Sequence, residues 1–162
     1  MTLYLQKISS PIGELYLLAN DQVLVAVLWG KDDFQRVKLN IDQCIAKSDH
    51  SILQKTQQQL AEYFLGQRKV FDLPLAFHGT EFQQQVWQAL CSIPFGESRS
   101  YLQIAEQIGN KKAVRAVGAA IAKNPISIVV PCHRVIGANG KMVGFAGGLD
   151  NKEILLKIEK DH

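Results

Sequence analysis

The stretch VVPCHRVIG, residues 129–137, places a cysteine between a proline and a histidine, with apolar residues on both sides. Adjacent cysteine and histidine residues suit several kinds of chemistry. They can bind a metal, form a nucleophile in which the imidazole contacts the sulfur, or work as a thiol coupled indirectly to the imidazole. The alternative is that Cys132 is an inert buried thiol. Each interpretation makes a different demand on the rest of the chain.

A metal site requires three or four cysteine or histidine ligands that converge with workable spacing. The chain has three cysteines and four histidines, and they form no such pattern and no Cys-x-x-Cys pair. The same spacing gives no sign of a disulfide framework. We therefore predict no bound metal and no cofactor.

A direct cysteine–histidine pair requires the imidazole to reach the neighbouring sulfur. Adjacent side chains on an extended backbone point to opposite sides, so Cys132 and His133 touch only if the chain turns sharply between them. Indirect coupling through water stays possible, with a carboxylate from another element orienting the imidazole. The last helix offers Glu153 and Glu159. Polar groups delivered by an apolar strand favour a functional pair, whereas Cys44 and Cys91 are expected to be structural.

The N-terminal half reads as a small sheet followed by a helix. Residues 3–30 predict three short strands, separated by turn signals at residues 10–13 and 20–21, which favour an antiparallel meander. Apolar residues share one side of a helix predicted over 51–65, with Gly66 as its stop. Residues 70–79 resemble a connector between two halves.

The C-terminal half is predicted to be mainly helical. Thr80 and Gln83 form a capping-box pattern that begins a helix. Helices over 101–108 and 112–122, joined by Gly109-Asn110, predict a helix-turn-helix. Small residues in the second helix either pack tightly inside the protein or approach DNA closely around Arg115. A buried strand is expected over 126–130, and a final helix is expected to start at Asp150 with Glu153 and to run through Ile158.

Composition and charge narrow the classes of function. The chain has 162 residues, 47% of them hydrophobic, and a net charge of +3. Residues 96–142 hold seven basic and two acidic residues, a net +5, which leaves −2 for the rest. This excess fits a polyanion partner or a solvated basic face. No apolar run approaches the ~20 residues of a membrane span, and the N-terminus lacks a secretory pattern, so we expect a cytoplasmic protein without membrane contact.

PCHRV at residues 131–135 resembles the active-site motif of the methylated-DNA-protein-cysteine methyltransferases, the 6-O-alkylguanine-DNA alkyltransferases. Three further segments resemble the same family: IPFGESRSY at 93–101, AVRAVGAAIAKNP at 113–125 and GFAGGLDNKEILLKIE at 144–159. The resemblance implies an α+β fold. Residues 1–76 would form an N-terminal α/β domain with a small antiparallel sheet and a helix (ribonuclease H-like). Residues 77–162 would form a mostly helical domain with the helix-turn-helix and the active site.

The resemblance also implies roles for individual residues. Cys132 would take the alkyl group from oxygen 6 of guanine, once per protein molecule, with His133 as water-mediated base and Glu159 orienting the imidazole. Asn124 would tie the helix-turn-helix to the active-site turn, and Tyr101 would donate to the guanine. Arg115 would fill the gap left by the flipped nucleotide. The remaining expected DNA contacts are Ala113, Ala116, Gly118 and Tyr101, and the expected pocket residues are Pro131, Val135, Phe145 and Ala146.

The sequence departs from the family pattern at some of these positions. Ala146 stands where a serine is often found, which leaves its backbone N–H to contact the substrate oxygen, and Phe145 stands where tyrosine is common. Ser127 replaces a proline of some relatives. The implied partner is double-stranded DNA carrying alkylated guanine, and the protein is expected to be a monomer in solution. The alternatives are a non-catalytic protein that binds alkylated DNA and recruits other repair factors, which the presence of Cys132 disfavours, and a cysteine hydrolase.

Overall fold

The computed structural model describes residues 2–140 and 144–162, in which the chain divides into two compact units. The first unit comprises the residues up to Ala76 together with Pro125–Val129. The second comprises Phe77–Asn124 and Val130–His162. The predicted α+β class is confirmed, because a small sheet organises the first unit and helices dominate the second.

The sheet of the first unit contains the predicted antiparallel meander. Strands β1 (Leu3–Ser10), β2 (Gly13–Ala19) and β3 (Leu24–Leu28) pair in sequence order. Gly13 allows the first turn because its φ is 101°, and Asn20 Oδ1 stabilises the second by accepting the N–H of Gln22 at 2.8 Å. A short helix, α1 (Asp33–Arg36), and a fourth strand, β4 (Cys44–Ala46), were not predicted. Strand β4 pairs in parallel with β1, which gives the order β3-β2-β1-β4.

Helix α2 (Ser51–Phe64) confirms the helix predicted over 51–65. It contacts β1 and β2 and buries Leu53, Leu60 and Tyr63. Because side chains alternate along a strand, the other face of the sheet carries a second cluster. The members of this cluster are Tyr16, Leu18, Ala26, Leu28 and Phe34. Both faces of the central strands are therefore covered.

The described residues of the second unit form four α-helices: α3 (Glu81–Cys91), α4 (Tyr101–Gln107), α5 (Val114–Ala122) and α6 (Leu149–Asp161). Helix α3 begins with the predicted capping box, in which Thr80 Oγ1 accepts the N–H of Gln83 at 3.1 Å and Gln83 Oε1 accepts the N–H of Thr80 at 3.0 Å. Helix α5 starts later than predicted from residue 112, because the backbone of Ala113 is not yet helical. Gly109, at φ 81°, forms the turn between α4 and α5.

Helix α5 is fixed to α3 by a buried tryptophan. Trp87 Nε1 donates to the carbonyl of Ala120 at 2.8 Å. The ring of Trp87 packs so closely on Gly79 that a Cβ there would lie 2.8 Å from it, a distance that real Cβ atoms do not adopt. The C-terminal half of α5 is therefore held by the body of the second unit.

A two-stranded parallel ladder, which the sequence did not predict, joins distant segments of the second unit. Strand β5 (Arg99–Ser100) pairs with β6 (Val135–Ile136), residue 99 opposite 135 and residue 100 opposite 136. Tyr101 follows β5 directly as the first residue of α4, and β6 follows the Cys132–Arg134 turn. The ladder thus fixes the start of α4 relative to the chain that carries the cysteine.

The start of α6 differs from the prediction. Its N-cap is Gly148, at φ 88°, with no side-chain cap, so Asp150 lies inside the first turn and does not begin the helix. Glycine suits this N-cap because a φ of 88° strains other residues, and the helix begins at Leu149, one residue before the predicted start. In the described residues, no helix has the length and apolar character needed to cross a membrane.

Candidate active site

Cys132 begins a single turn of 3₁₀-helix, Cys132–Arg134, so the backbone turns at the Cys132–His133 pair and is not extended there. Pro131 has φ −81° and ψ 65°, and the N–H of Cys132 donates to the carbonyl of Val130 at 2.8 Å, which makes a γ-turn. The N–H of Arg134 then donates to the carbonyl of Pro131 at 3.0 Å. These bonds hold Cys132, which is 6% exposed, at a fixed point in the second unit.

The segment before the cysteine is buried, as predicted, but it is not a strand. Ile126, Ile128 and Val130 are fully buried. Ile128, however, has φ 73°, a strained value for a β-branched residue, and a second γ-turn follows as the N–H of Val129 donates to Ser127 at 2.9 Å. Ser127 Oγ accepts the indole N–H of Trp29 at 3.1 Å within the first unit.

A side-chain hydrogen bond of Asn124 joins the two ends of segment 125–129. Its side-chain amide donates to the carbonyl of Val130 at 2.9 Å, and the side chain is completely buried. Asn124 follows the C-cap of α5, Lys123, and Val130 lies two residues before Cys132. The bond therefore connects the end of α5 with the cysteine turn.

His133 and Glu159 meet in the interior of the second unit. His133 Nε2 lies 2.5 Å from Glu159 Oε2, and the two residues are 0% and 4% exposed. A carboxylate can only accept, so Nε2 carries the hydrogen and the lone pair is on Nδ1. Glu153, the other carboxylate considered from the sequence, is exposed on α6 and does not take part.

The same carboxylate is held by Arg134 and by the main chain. Arg134 Nε donates to Glu159 Oε1 at 2.8 Å, and Arg134 Nη2 donates to Oε2 at 3.2 Å. The N–H of Gly96 donates to Oε1 at 3.1 Å. Arg134 also donates through Nη1 to the carbonyl of Ile93 at 2.6 Å. Glu159 is therefore fixed by one imidazole, one guanidinium and one backbone amide.

Burial lowers the pKa of His133 below its ordinary value, and the positive charges of Arg134 and Lys152 lower it further. The hydrogen bond and charge of Glu159 act in the opposite direction without overcoming the burial. The imidazole is consequently neutral near neutral pH, which is the state that can accept a proton.

Tyr101 lies in the electrostatic surroundings of Cys132. Burial raises the pKa of its hydroxyl, and negative charge at Cys132 raises it further. The phenol therefore keeps its proton and can donate it. Its ring also packs on α5, since a Cβ on Gly118 would lie 3.8 Å from the ring, in ordinary contact.

Lys152 is a second buried cation of this site that sequence reasoning missed. It is 1% exposed, and its Nζ donates to the carbonyl of Val135 at 2.7 Å. Burial lowers its pKa, while charge at Cys132 acts to raise it. Its Nζ also lies 5.9 Å from the centre of the Phe145 ring.

The four expected pocket residues differ in burial. Pro131 and Val135 are buried on either side of the cysteine turn, Phe145 is half-buried and Ala146 is exposed. Between these pairs, residues 141–143 lie outside the described part of the chain. No group of three or more histidine, cysteine, aspartate or glutamate side chains in the described ranges is arranged to hold a metal.

Helix α5 divides its small residues between two sides. Of the small residues considered for tight packing, Ala120 is buried, and it lies on the same side as the buried Val117 and Ile121. Arg115, Ala116 and Ala119 are exposed on the opposite side, and Ala113 and Gly118 are half-buried. Lys111, Lys112 and Lys123 are exposed at the two ends of the helix. The exposed side of α5 therefore carries small side chains around Arg115 and has lysines at both ends.

The other basic residues counted in the sequence do not belong to this face. Arg134 is buried against Glu159, and Arg99 forms an ion pair with Glu97 at 3.1 Å. Lys141 lies outside the described residues. The position of Arg134 in an apolar run was the signal that its side chain is buried. A buried arginine in turn requires a buried acceptor.

The fold and the site together define a class. The second unit combines a helix-turn-helix, whose second helix has an exposed basic face, with a buried cysteine next to a histidine–glutamate–arginine cluster. This combination is typical of a DNA-binding protein with a thiol at its active site.

Comparison with known proteins narrows this class to one family. Residues 3–77 match the model described as 6-O-methylguanine DNA methyltransferase, ribonuclease-like domain, and residues 81–161 match the DNA binding domain of the same name. The methylated-DNA–protein-cysteine methyltransferase of Methanosarcina mazei is 48% identical over 160 residues, which cover 99% of both chains. The constitutive protein of that name from Bacillus subtilis is 44% identical over 158 residues, 97% of this chain and 95% of the relative.

Solved structures agree with this result. The Mycobacterium tuberculosis O6-methylguanine methyltransferase matches with a TM-score of 0.87 and 41% identity, covering 99% of this chain and 94% of that one. A structure of the Mycobacterium tuberculosis protein in complex with DNA matches with a TM-score of 0.85 and 42% identity, covering 98% and 93%. The chain belongs to the 6-O-methylguanine DNA methyltransferase family.

Proposed function

We propose that the protein repairs DNA by transferring the alkyl group of 6-O-alkylguanine to Cys132, once per protein molecule. The observation that carries this proposal is the arrangement around the cysteine. Cys132 sits on a rigid turn beside a neutral imidazole, whose Nε2 is held by Glu159. Tyr101 lies close enough to sense charge at the sulfur. A nucleophile, a base and a proton donor thus occur together in the unit that carries the helix-turn-helix.

The proposed reaction begins with removal of the thiol proton. Because Glu159 engages Nε2, the proton passes from Cys132 through a water molecule to Nδ1 of His133. The thiolate then attacks the alkyl carbon, forming a carbon–sulfur bond as the carbon–oxygen bond breaks. The electron pair of that bond goes to oxygen 6 of the guanine.

The hydroxyl of Tyr101 stabilises the leaving guanine by donating to its ring as negative charge develops. The thioether on Cys132 has no easily displaced group, so the thiol is not regenerated. Pro131, Val135 and Phe145 form the walls of the base pocket in this proposal, and the backbone N–H of Ala146 binds oxygen 6. The buried position of Cys132 keeps water from competing for the alkyl carbon.

The proposed DNA-binding surface is the exposed side of α5. Ala113, Ala116 and Gly118 leave the helix slim enough to enter the minor groove, and Arg115 fills the gap left by the flipped nucleotide. Lys111, Lys112 and Lys123 flank the helix and contact phosphates. Tyr101, which packs on α5 at Gly118, joins this surface to the cysteine.

We also propose two domains, residues 1–76 and residues 77–162. By these limits Pro125–Val129 lies in the second domain, although it groups with the first compact unit. The protein is a monomer in solution, and its partner is double-stranded DNA. A cytoplasmic location suits a reactive thiol, since reducing conditions there keep cysteines free.

A transfer assay with isotope-labelled methyl groups tests the proposal. The wild-type protein is mixed with a duplex that contains one 6-O-methylguanine, and Cys132→Ser and Cys91→Ser are compared with it. We expect no transfer to the Cys132→Ser protein, unchanged transfer to the Cys91→Ser protein, and binding of the duplex by all three. Transfer that survives in Cys132→Ser would show that the nucleophile lies elsewhere.

A further inference from the structure

Arg134 is buried and fully engaged in polar contacts, unlike a surface arginine that binds DNA. It is 6% exposed, and all three of its nitrogens donate to acceptors in the second unit. Two of them meet the two oxygens of Glu159, and the third meets the carbonyl of Ile93. Its Cζ also lies 5.8 Å from the centre of the Phe95 ring. The guanidinium is therefore fixed beside the carboxylate that orients the catalytic histidine.

Glu159 needs one positive charge in its neighbourhood, because a buried carboxylate without a counter-charge is costly. Two contacting side chains are able to supply it: Arg134 always, and His133 only when protonated. Without Arg134, the contact between His133 and Glu159 would favour the imidazolium. An imidazolium already holds the proton that the thiol has to lose, so it cannot act as the base.

We infer that Arg134 is a positioning residue that holds the charge of Glu159 in a permanent ion pair, so that His133 rests as a neutral, proton-accepting imidazole. This inference rests on the proposed function, because it assigns the proton of Cys132 to His133. An arginine suits the role better than a lysine, since its planar fork binds both carboxylate oxygens and it does not lose its proton.

The other charged and titratable groups of the site fit this assignment. Lys152 on α6 adds a second positive charge that disfavours protonation of His133, and Glu159 on the same helix is the one carboxylate that opposes it. Tyr101 on α4 keeps its proton, and Cys132 is the group that gives its proton up. With the cations Arg134 and Lys152 and the carboxylate of Glu159 among these buried side chains, the cluster is neutral when Lys152 is protonated, the sulfur is a thiolate and the imidazole is uncharged.

A ¹⁵N NMR titration of the histidine side chains in the full-length protein tests the inference without DNA. The His133 signal is assigned by its loss in His133→Gln. Arg134→Met removes the charge and keeps much of the side-chain length, and Arg134→Lys keeps the charge. We expect the pKa of His133 to rise above the wild-type value in Arg134→Met, to stay close to it in Arg134→Lys, and to fall below it in Glu159→Gln.

The pH profile of methyl transfer gives a second readout. Arg134→Met should lose about tenfold or more in rate at pH 7 and recover as the pH is raised, because a general base contributes about 10²–10⁴-fold when it is in its basic form. Arg134→Lys should retain most of the wild-type rate. A purely structural loss would lower the rate equally at every pH.

An unchanged His133 titration in Arg134→Met, or a rise of the same size in Arg134→Lys, would overturn the inference. If circular dichroism shows that Arg134→Met does not fold, Arg134→Lys and Glu159→Gln decide, since a His133 pKa that rises in either would contradict the assignment. A wild-type protein that transferred no methyl group would refute the proposed function, while the titrations would still decide the role of Arg134.

Discussion

Cys132 differs from the other two cysteines of the chain in what surrounds it. Burial raises the pKa of both Cys44 and Cys91, which keeps them as thiols near neutral pH. Cys132 instead directly precedes His133 and interacts electrostatically with the phenol of Tyr101 and with Lys152, while the charge of Arg134 acts on Cys91. We therefore expect the neighbours of Cys132, and not its exposure, to make it the reactive thiol, because Cys91 is the most exposed of the three thiols.

The hydroxyl of Tyr101 is expected to act mainly in the transition state. Tyr101→Phe keeps the ring that packs on Gly118 and removes only the proton donor. We expect the transfer rate to fall about tenfold to a hundredfold, somewhat less than the loss of a strong oxyanion donor, with little change in DNA affinity. Single-turnover assays and binding titrations check this, with Tyr4→Phe in the first unit as the matched control. Equal losses of affinity and rate would assign Tyr101 to binding alone.

The buried neutral state of His133 predicts how stability depends on pH. Its pKa is lowered from 6.5 in the folded protein, so the unfolded chain binds the proton more readily. Stability from this group is fully present above about pH 6.5 and decreases as the pH falls toward the folded pKa. Urea unfolding of wild type and His133→Gln between pH 7.5 and 5 measures the effect. The difference in free energy of unfolding should shrink as the pH falls, and a constant difference would contradict the neutral state.

Single elements explain why some of the fold could be predicted. The helices of the second unit follow local rules, such as the capping box of Thr80 with Gln83 and the glycine turn at Gly109, and these were confirmed. The β5–β6 ladder could not be predicted, because two residues per strand leave no periodicity in the sequence. The apolar run over 126–130 correctly predicted that this segment is buried, but it did not predict the backbone conformation. The positive φ of Ile128 is set by tertiary packing.

The candidate site, like the fold, could be predicted from the sequence only in part. Cys132 and His133 were identified from their residue types, and Glu159 was chosen over Glu153 only by resemblance to a family. The helix itself explains the choice, because Lys152, Leu155 and Glu159 share the buried face of α6. Arg134 was counted as a polyanion-binding charge because sequence alone does not show which basic side chains are buried.

A substitution on the exposed side of helix α5 should affect repair of duplex DNA more than reaction with the free base. Arg115 is exposed on its slim side. We expect Arg115→Ala to slow transfer from duplex DNA about tenfold or more, since the gap left by base flipping, which costs a few kcal/mol, is no longer filled. Transfer from free 6-O-methylguanine should change less than about twofold. Parallel single-turnover assays on both substrates check this, and equal losses would rule out the role of Arg115 in flipping.

For the molecule as a whole, the distribution of charge predicts how binding responds to salt. Lys111, Lys112, Arg115 and Lys123 are exposed around one helix, while the rest of the chain is close to neutral or acidic. Affinity for undamaged duplex should fall steeply with salt. Lys112→Ala should reduce the slope of log K against log salt by about 1, because each phosphate contact releases about one counterion.

The matched control for this prediction is Lys31→Ala, an exposed lysine of the first unit. Fluorescence anisotropy at several salt concentrations gives the slopes of both variants and of the wild type. The Lys31→Ala slope should equal that of the wild type. An equal change in both variants would show that the net charge, and not the surface around α5, determines DNA binding.

Mass spectrometry of the protein after reaction with duplex DNA tests the central claim most directly. The duplex carries one 6-O-methylguanine and is used in excess, and both the intact protein and its proteolytic peptides are measured. We predict that each protein molecule gains one methyl group and no more, that the group is on the Cys132 peptide, and that the Cys44 and Cys91 peptides stay unmodified. An unmodified protein that still binds the lesion, or a methyl group on another cysteine, would contradict the account.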